Sequence, residues 1–218
     1  MSQPPRDVPW IPPDLGPSDG LIGVGGELAP AVLLRAYADG VFPWFSAGDP
    51  VLWWSPDPRA IFPFDSFHVP KRLARTVASG QFRITVNSSF RDVMKACGEL
   101  REEGSWVTPD MVEAYTTLHE MGFAHSVETW QGDDLVGGIY GVAIGGMFAG
   151  ESMFYRVPDA SKVALVALQR RLASRGFELF DTQIANEHTF RFGAVEIPRG
   201  EYLMQVRKAV RNTRASFA

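Results

Sequence analysis

The chain of 218 residues is 45% hydrophobic and 21% charged, an ordinary balance for a water-soluble globular protein able to bury one sizeable core or two small ones. Its 25 Asp and Glu outweigh 21 Lys and Arg for a net charge of −4, which argues against a protein that coats nucleic acid along a basic surface but leaves room for a local phosphate-binding patch. A single cysteine, Cys97, excludes an internal disulfide and a multi-thiolate zinc site, and no run approaches the roughly 18 apolar residues of a membrane span, nor does the N-terminus show a basic-then-apolar secretory pattern, so a soluble cytoplasmic protein is expected.

The first twenty residues carry Pro4, Pro5, Pro9, Pro12, Pro13 and Pro17 and are expected to lie extended over the domain, pinned by Trp10 and Ile11. A helical pattern starts at Glu27, with Pro30 near its first turn, Leu33, Leu34 and Tyr37 on one face and Gly40 as its stop. Residues 41–64, dense in proline and tryptophan, suit irregular loops and short strands. A short helix is expected over 70–79, then a strand over 82–86. Asn87 or Ser88 opens a helix with Phe90, Val93, Met94 and Cys97 facing inward. Thr108 and Pro109 open another, in which Met111, Val112, Tyr115 and Leu118 recur at helical spacing up to Gly122. Residues 124–130, 134–144 and 147–154 then read as strands of an antiparallel meander, divided by Gln131-Gly132-Asp133 and Gly145-Gly146. Asp159 is expected to cap a helix that buries Val163, Val166, Leu168 and Leu172 and ends at Gly176. Residues 178–184 return as a strand, and a basic helix open to fraying starts near Glu201.

The fold class is therefore α+β. Three strands, a crossover helix and a returning strand give the order of the acyl-CoA N-acyltransferase fold, an order that several α+β folds share. The expected organisation is an N-terminal arm and small α/β domain over 1–63, followed by an acyltransferase-like domain over 64–218 with an antiparallel or mixed sheet and flanking helices. Enzymes that use CoA bring a glycine-rich turn to the pyrophosphate at a helix N-terminus. Here Pro158 offers no donor and Asp159 places a negative charge where phosphates would sit, so an acyl-CoA donor is disfavoured.

Residues 148–154 place one carboxylate, Glu151, among apolar neighbours. A buried carboxylate costs several kcal/mol unless a cation, a proton or a ligand answers it, which makes Glu151 a candidate binding residue, with Asp181 and Gln183 as its polar counterparts. Trp44, Trp53 and Trp54 either pack a proline-rich segment or stack on unpaired bases. Lys71, Arg72 and Arg75 form either a solvated helix face or a patch for a few phosphates. Gly23-Val24-Gly25-Gly26 lacks the full nucleotide-loop fingerprint. Ser152 lacks the serine-hydrolase elbow, because Phe154 stands where its second glycine belongs. His68, His119, His125 and His188 show no metal-ligand spacing.

Across nearly its whole length the chain resembles the leucyl/phenylalanyl-tRNA protein transferases. The resemblance rests on Gly23-Val-Gly-Gly-Glu-Leu, Gly40-Val-Phe-Pro-Trp-Phe, Leu52-Trp-Trp-Ser-Pro-Asp-Pro-Arg-Ala, Trp106-Val, Ala124-His-Ser-Val-Glu, Leu135-Val-Gly-Gly-Ile-Tyr-Gly-Val-Ala, Gly150-Glu-Ser-Met-Phe and Asp159-Ala-Ser-Lys. It implies transfer of Leu or Phe from aminoacyl-tRNA, held mainly by its 3′ end, to proteins with N-terminal Arg or Lys. Such transfer marks the acceptor for degradation and is carried out by a cytoplasmic monomer without cofactor, metal or ATP. By the same resemblance Gln183 contacts the attacking α-amino group, Asp181 orients it and Glu151 supplies negative charge for the basic acceptor. Ile139, Phe148, Met153, Leu168 and Phe180, with Gly150, would form the apolar pocket, Phe180 being bulkier than the aliphatic residue expected there. Trp44 and Trp106 match tryptophans near the terminal adenosine and acceptor site, and Lys71, Arg72 and Arg75 are the candidates for tRNA phosphate. Two competing expectations are an acyl-CoA-dependent N-acetyltransferase, from the element order, and a non-enzymatic reader of basic N-termini, from Glu151.

Overall fold

A computed structural model describes residues 8–99 and 107–217. The arm is not wholly extended, since Pro13–Leu15 form one 3-10 turn. Trp10 pins it by packing on Trp53 with ring centroids 4.8 Å apart, whereas Ile11 is exposed. A small antiparallel sheet follows from β1 (Leu21–Val24), β2 (Phe42–Pro43) and β3 (Leu52–Trp54), in the order β1-β3-β2. Between its first two strands lies α1 (Pro30–Ala38), opened by proline at its first position and ended by Gly40 in a left-handed conformation, φ +79°.

The larger sheet has seven strands: β4 (Arg59–Ile61), β5 (Arg83–Val86), β6 (Ala124–Gln131), β7 (Asp134–Ile144), β8 (Met147–Tyr155), β9 (Leu179–Gln183) and β10 (Val195–Ile197). Their order is β10-β4-β9-β8-β7-β6-β5. Every neighbouring pair is antiparallel except β8 and β9, which run parallel because α5 (Ala160–Ser174) crosses between them. The apolar face of α5 covers one side of the sheet. On the other lie α1, α3 (Phe90–Glu99) and α4 (Pro109–Glu120), so two layers of apolar side chains sandwich the sheet. The remaining helices are α2 (Lys71–Ala78), α6 (Glu187–Arg191) and α7 (Arg199–Ala209).

Several expectations need correction. The strand β4 lies before residue 63 and yet pairs within the larger sheet, between β10 and β9. Asp159 makes no side-chain cap to α5. It adopts φ +67° and its carboxylate holds Lys162 at 2.8 Å instead. The short elements α6 and β10 were not foreseen, and α7 is no fraying tail: Tyr202, Leu203, Val206 and Ala209 are buried, and Arg199 at its start binds the carbonyls of Pro17 and Ser55 at 2.9 and 2.8 Å.

Candidate active site

The parallel pairing of β8 with β9 runs only through Met147/Leu179, Phe148/Phe180 and Ala149/Asp181. Beyond it both strands bulge. On β8 the partners of Tyr140 and Gly141 are Ser152 and Gly150, so Glu151 is the extra residue, and on β9 the partners of Ala60 and Ile61 are Gln183 and Asp181, leaving Thr182 over. A bulge bends its strand and re-aims a side chain. The two together open a cavity of about 420 Å³ where the strands part. Gly141 makes the bulge on β8 possible, because a Cβ at that position would lie 2.2 Å from the Ala149 carbonyl oxygen.

One wall of the cavity is apolar, built from Phe62, Ile139, Met153, Leu165 and Phe180. Its polar end holds Glu151, Gln183, Asn186 and Thr189. Glu151 is only 9% exposed. Its Oε1 accepts a hydrogen bond from Gln183 Nε2 at 2.8 Å, while Oε2 is buried with no partner at full hydrogen-bond geometry among the described residues. The Tyr37 hydroxyl pairs with the Tyr115 hydroxyl at 2.5 Å, either of which can be the donor, and it also acts on the Glu151 carboxyl. Burial therefore pushes the Glu151 pKa up to about 8, the Asp181 charge adds to the rise, and Tyr37, Arg59 and Gln183 offset part of it. A cation brought beside this carboxyl would lower its pKa again and favour the ionised form.

Asp181 stands behind the cavity wall, fully buried, and both of its oxygens are occupied. Oδ1 accepts from Arg59 Nε and from the Gln183 backbone N–H, each at 2.9 Å. Oδ2 accepts from Arg59 Nη2 at 2.7 Å and from the Tyr202 hydroxyl at 2.8 Å. Burial works against the Arg59 charge, but Asp181 more than restores it and the guanidinium pKa is raised. The bond to its N–H meets Gln183 at φ +64°, a region uncommon for a residue with a side chain. Gln183 turns its NH₂ to Glu151 Oε1, so its own carbonyl oxygen remains as an acceptor.

Of the residues singled out from the sequence, Trp44, Ile139, Gly150, Glu151, Met153, Phe180 and Gln183 line the cavity. Asp181, Phe148 and Leu168 do not. Phe148 is buried behind Phe180, its ring 5.7 Å away, and against Phe217 at 5.5 Å. Leu168 is core, and Leu165, one turn earlier on α5, reaches the cavity instead. Trp44 sits at the mouth, 42% exposed, with its ring 5.8 Å from Trp54. Lys71, Arg72 and Arg75 are exposed on α2 and none lines the cavity. Trp106 lies outside the described residues. Sequence reasoning gave Arg59 and Tyr202 no part in the site, read Tyr37 and Tyr115 only as helix core, and weighed His188 only as a metal ligand. Arg59 sits in a tryptophan- and proline-rich motif, but nothing local says that it reaches β9. Among the described residues no His, Cys, Asp and Glu cluster of three or more could hold a metal ion.

Known proteins give the same direction. Residues 26–57 match the family model of the leucyl/phenylalanyl-tRNA protein transferase N-terminal domain, and residues 61–207 that of leucyl/phenylalanyl-tRNA protein transferase. The chain is 52% identical over 210 residues to the protein of that name from Nitratidesulfovibrio vulgaris strain DP4, covering 94% of this chain and 90% of the relative. To the one from Magnetococcus marinus it is 53% identical over 207 residues, covering 92% and 88%. Among solved structures, L-PGS from Bacillus licheniformis aligns with a TM-score of 0.42 at 11% identity over 71% of this chain and 65% of that one, too slight a likeness to build on. By these matches over most of its length, the chain belongs to the leucyl/phenylalanyl-tRNA protein transferase family.

Proposed function

We propose that the protein moves Leu or Phe from aminoacyl-tRNA to the α-amino group of proteins that begin with Arg or Lys, tagging them for degradation in the cytoplasm, and that it acts as a monomer. The observation that carries this reading is the cavity itself, where an apolar wall faces a hydrogen-bonded Glu151–Gln183 pair. An aliphatic or phenyl side chain fits the wall, and Met153 with Phe180 adapts to either shape. Glu151 is the only carboxylate lining the cavity among the described residues and would ionise against the cationic acceptor. Gln183 presents its carbonyl oxygen to an amine N–H. Trp44 at the mouth is placed to stack on the terminal adenine, and Lys71, Arg72 and Arg75 would meet tRNA phosphates. In this reading the larger sheet with α5 is an acyltransferase-like catalytic domain, and the small sheet supplies the mouth.

The chemistry asks little beyond placement. The ester is already activated, so the amine nitrogen bonds to the carbonyl carbon, the bond to the ribose oxygen breaks, and that oxygen leaves as a hydroxyl. Holding the two reactants in line supplies the larger share of acceleration, and proton handling adds roughly 10²–10⁴-fold. A glutamine amide is a poor base, so Gln183 holds the nitrogen while a proton passes to solvent, Glu151 or the ribose. The test is the protein, charged tRNA and a labelled Arg-leading peptide with no nucleotide, and with acetyl-CoA as a second donor. Aminoacylated peptide from tRNA alone is expected. Product from acetyl-CoA, or none from either tRNA, overturns the reading.

A further inference from the structure

We infer that Arg59 and Tyr202, from opposite ends of the chain, are positioning residues for the transfer step, holding Asp181 so that it locks the Gln183 turn at the cavity. This rests on the proposed transfer reaction and adds to it residues that touch neither substrate. Asp181 spends all its near contacts on the protein: Arg59 through Nε and Nη2, the Tyr202 hydroxyl, and the Gln183 backbone N–H. It cannot also bind an amine, so what it governs is Gln183, whose left-handed backbone, φ +64°, costs free energy and persists only where the surroundings over-determine it.

The surroundings are built for that purpose. The Arg59 side chain is 1% exposed, and its guanidinium is sandwiched between Phe42 and Tyr202, 4.7 and 4.4 Å from the ring centroids. The Tyr202 hydroxyl also lies 3.1 Å from Arg59 Nη2, closing a three-member ring with Asp181. Burying an ion pair is a poor way to gain stability compared with apolar packing. Here it ends at the backbone of the residue that faces the reacting nitrogen. The geometric consequence is that a loosened Asp181 lets the Gln183 amide drift, and misplacement of about 1 Å can cost on the order of 100-fold in rate.

The discriminating variant is Tyr202→Phe, which keeps the ring over Arg59 and removes only the hydroxyl. Transfer kinetics should show kcat falling about tenfold, the scale of one hydrogen bond to a charged group, with KM for aminoacyl-tRNA unchanged. Hydrogen exchange at the Gln183 amide should accelerate. Arg59→Lys, which loses the two-pronged grip but keeps the charge, should lower kcat further at the same KM. If Tyr202→Phe lowers the melting temperature while kcat and the Gln183 amide stay as in the wild type, the clamp is structural only and the inference fails. A wild-type protein with no transfer activity sinks the functional reading alone. The Gln183 amide then decides, with faster exchange in Tyr202→Phe supporting the clamp and unchanged exchange overturning it.

Discussion

Glu151 concentrates the physical tension of this molecule in one side chain. Its carboxyl pKa is about 8 in the folded state against an ordinary value of 4.5. Between those two values the folded state binds more protons than the unfolded one, so stability must fall as pH rises. The Glu151 contribution is fully present below about pH 4.5 and gone above about pH 8, a difference of several kcal/mol. Below about pH 6.5 the buried His125 and His188, whose pKa values burial lowers, work in the opposite sense, so chemical denaturation from pH 6.5 to 9 should show that decline, and Glu151→Gln should flatten it. A decline equally steep in the variant would mean another group titrates. The same carboxyl was legible in the sequence as an acid among apolar neighbours. What Asp181 does was not, because its role depends on Arg59, 122 positions away along the chain. Asp181→Ala should lower kcat far more than donor affinity and also destabilise the protein by about 3–5 kcal/mol, since Arg59 is left buried without its counter-charge. Equal losses in rate and in tRNA binding would contradict the positioning role.

At the scale of elements, the helices α1 to α5 and the β6–β8 meander followed from period, proline and glycine, because each is set by local preference. The bulges on β8 and β9 did not: a strand pattern with one residue too many reads like any other strand until its partner is known. Nor did β10 and α6, three and five residues long, carry enough sequence to announce themselves. The helix α5 shows how one turn decides function. Its buried stripe was visible, but which leucine reaches the cavity depends on how the helix crosses the sheet. Leu165→Ala should enlarge the cavity and alter the ratio of Phe to Leu transfer. Leu168→Ala should cost about 2–5 kcal/mol of stability, the usual scale for a truncated core leucine, and leave that ratio alone. Competition between the two charged tRNAs and a denaturation curve for each variant separate them, and a shifted ratio in Leu168→Ala would refute the assignment.

The whole molecule is tied together across the expected division at residue 63. The strand β4 enters the large sheet, Arg59 upon it grips β9, and α7 returns from the C-terminal end to place Tyr202 beside both. Pairings of such long reach are invisible to a reading that works window by window, which is why candidate residues could be named singly but the frame that joins them could not. On this scale the basic face of α2 should matter through long-range charge. Replacing Lys71, Arg72 and Arg75 with alanine should raise KM for aminoacyl-tRNA, reduce its salt dependence and leave kcat unchanged; a kcat effect without a change in salt dependence would place the tRNA elsewhere. The most direct measurement of the central claim is the initial rate of Phe transfer from charged tRNA to an Arg-leading and an Ala-leading peptide, in the wild type and in Glu151→Gln. The account predicts strong preference for the Arg-leading peptide in the wild type and its collapse in the variant. Equal rates on both peptides in the wild type, or an undiminished preference in Glu151→Gln, would contradict it.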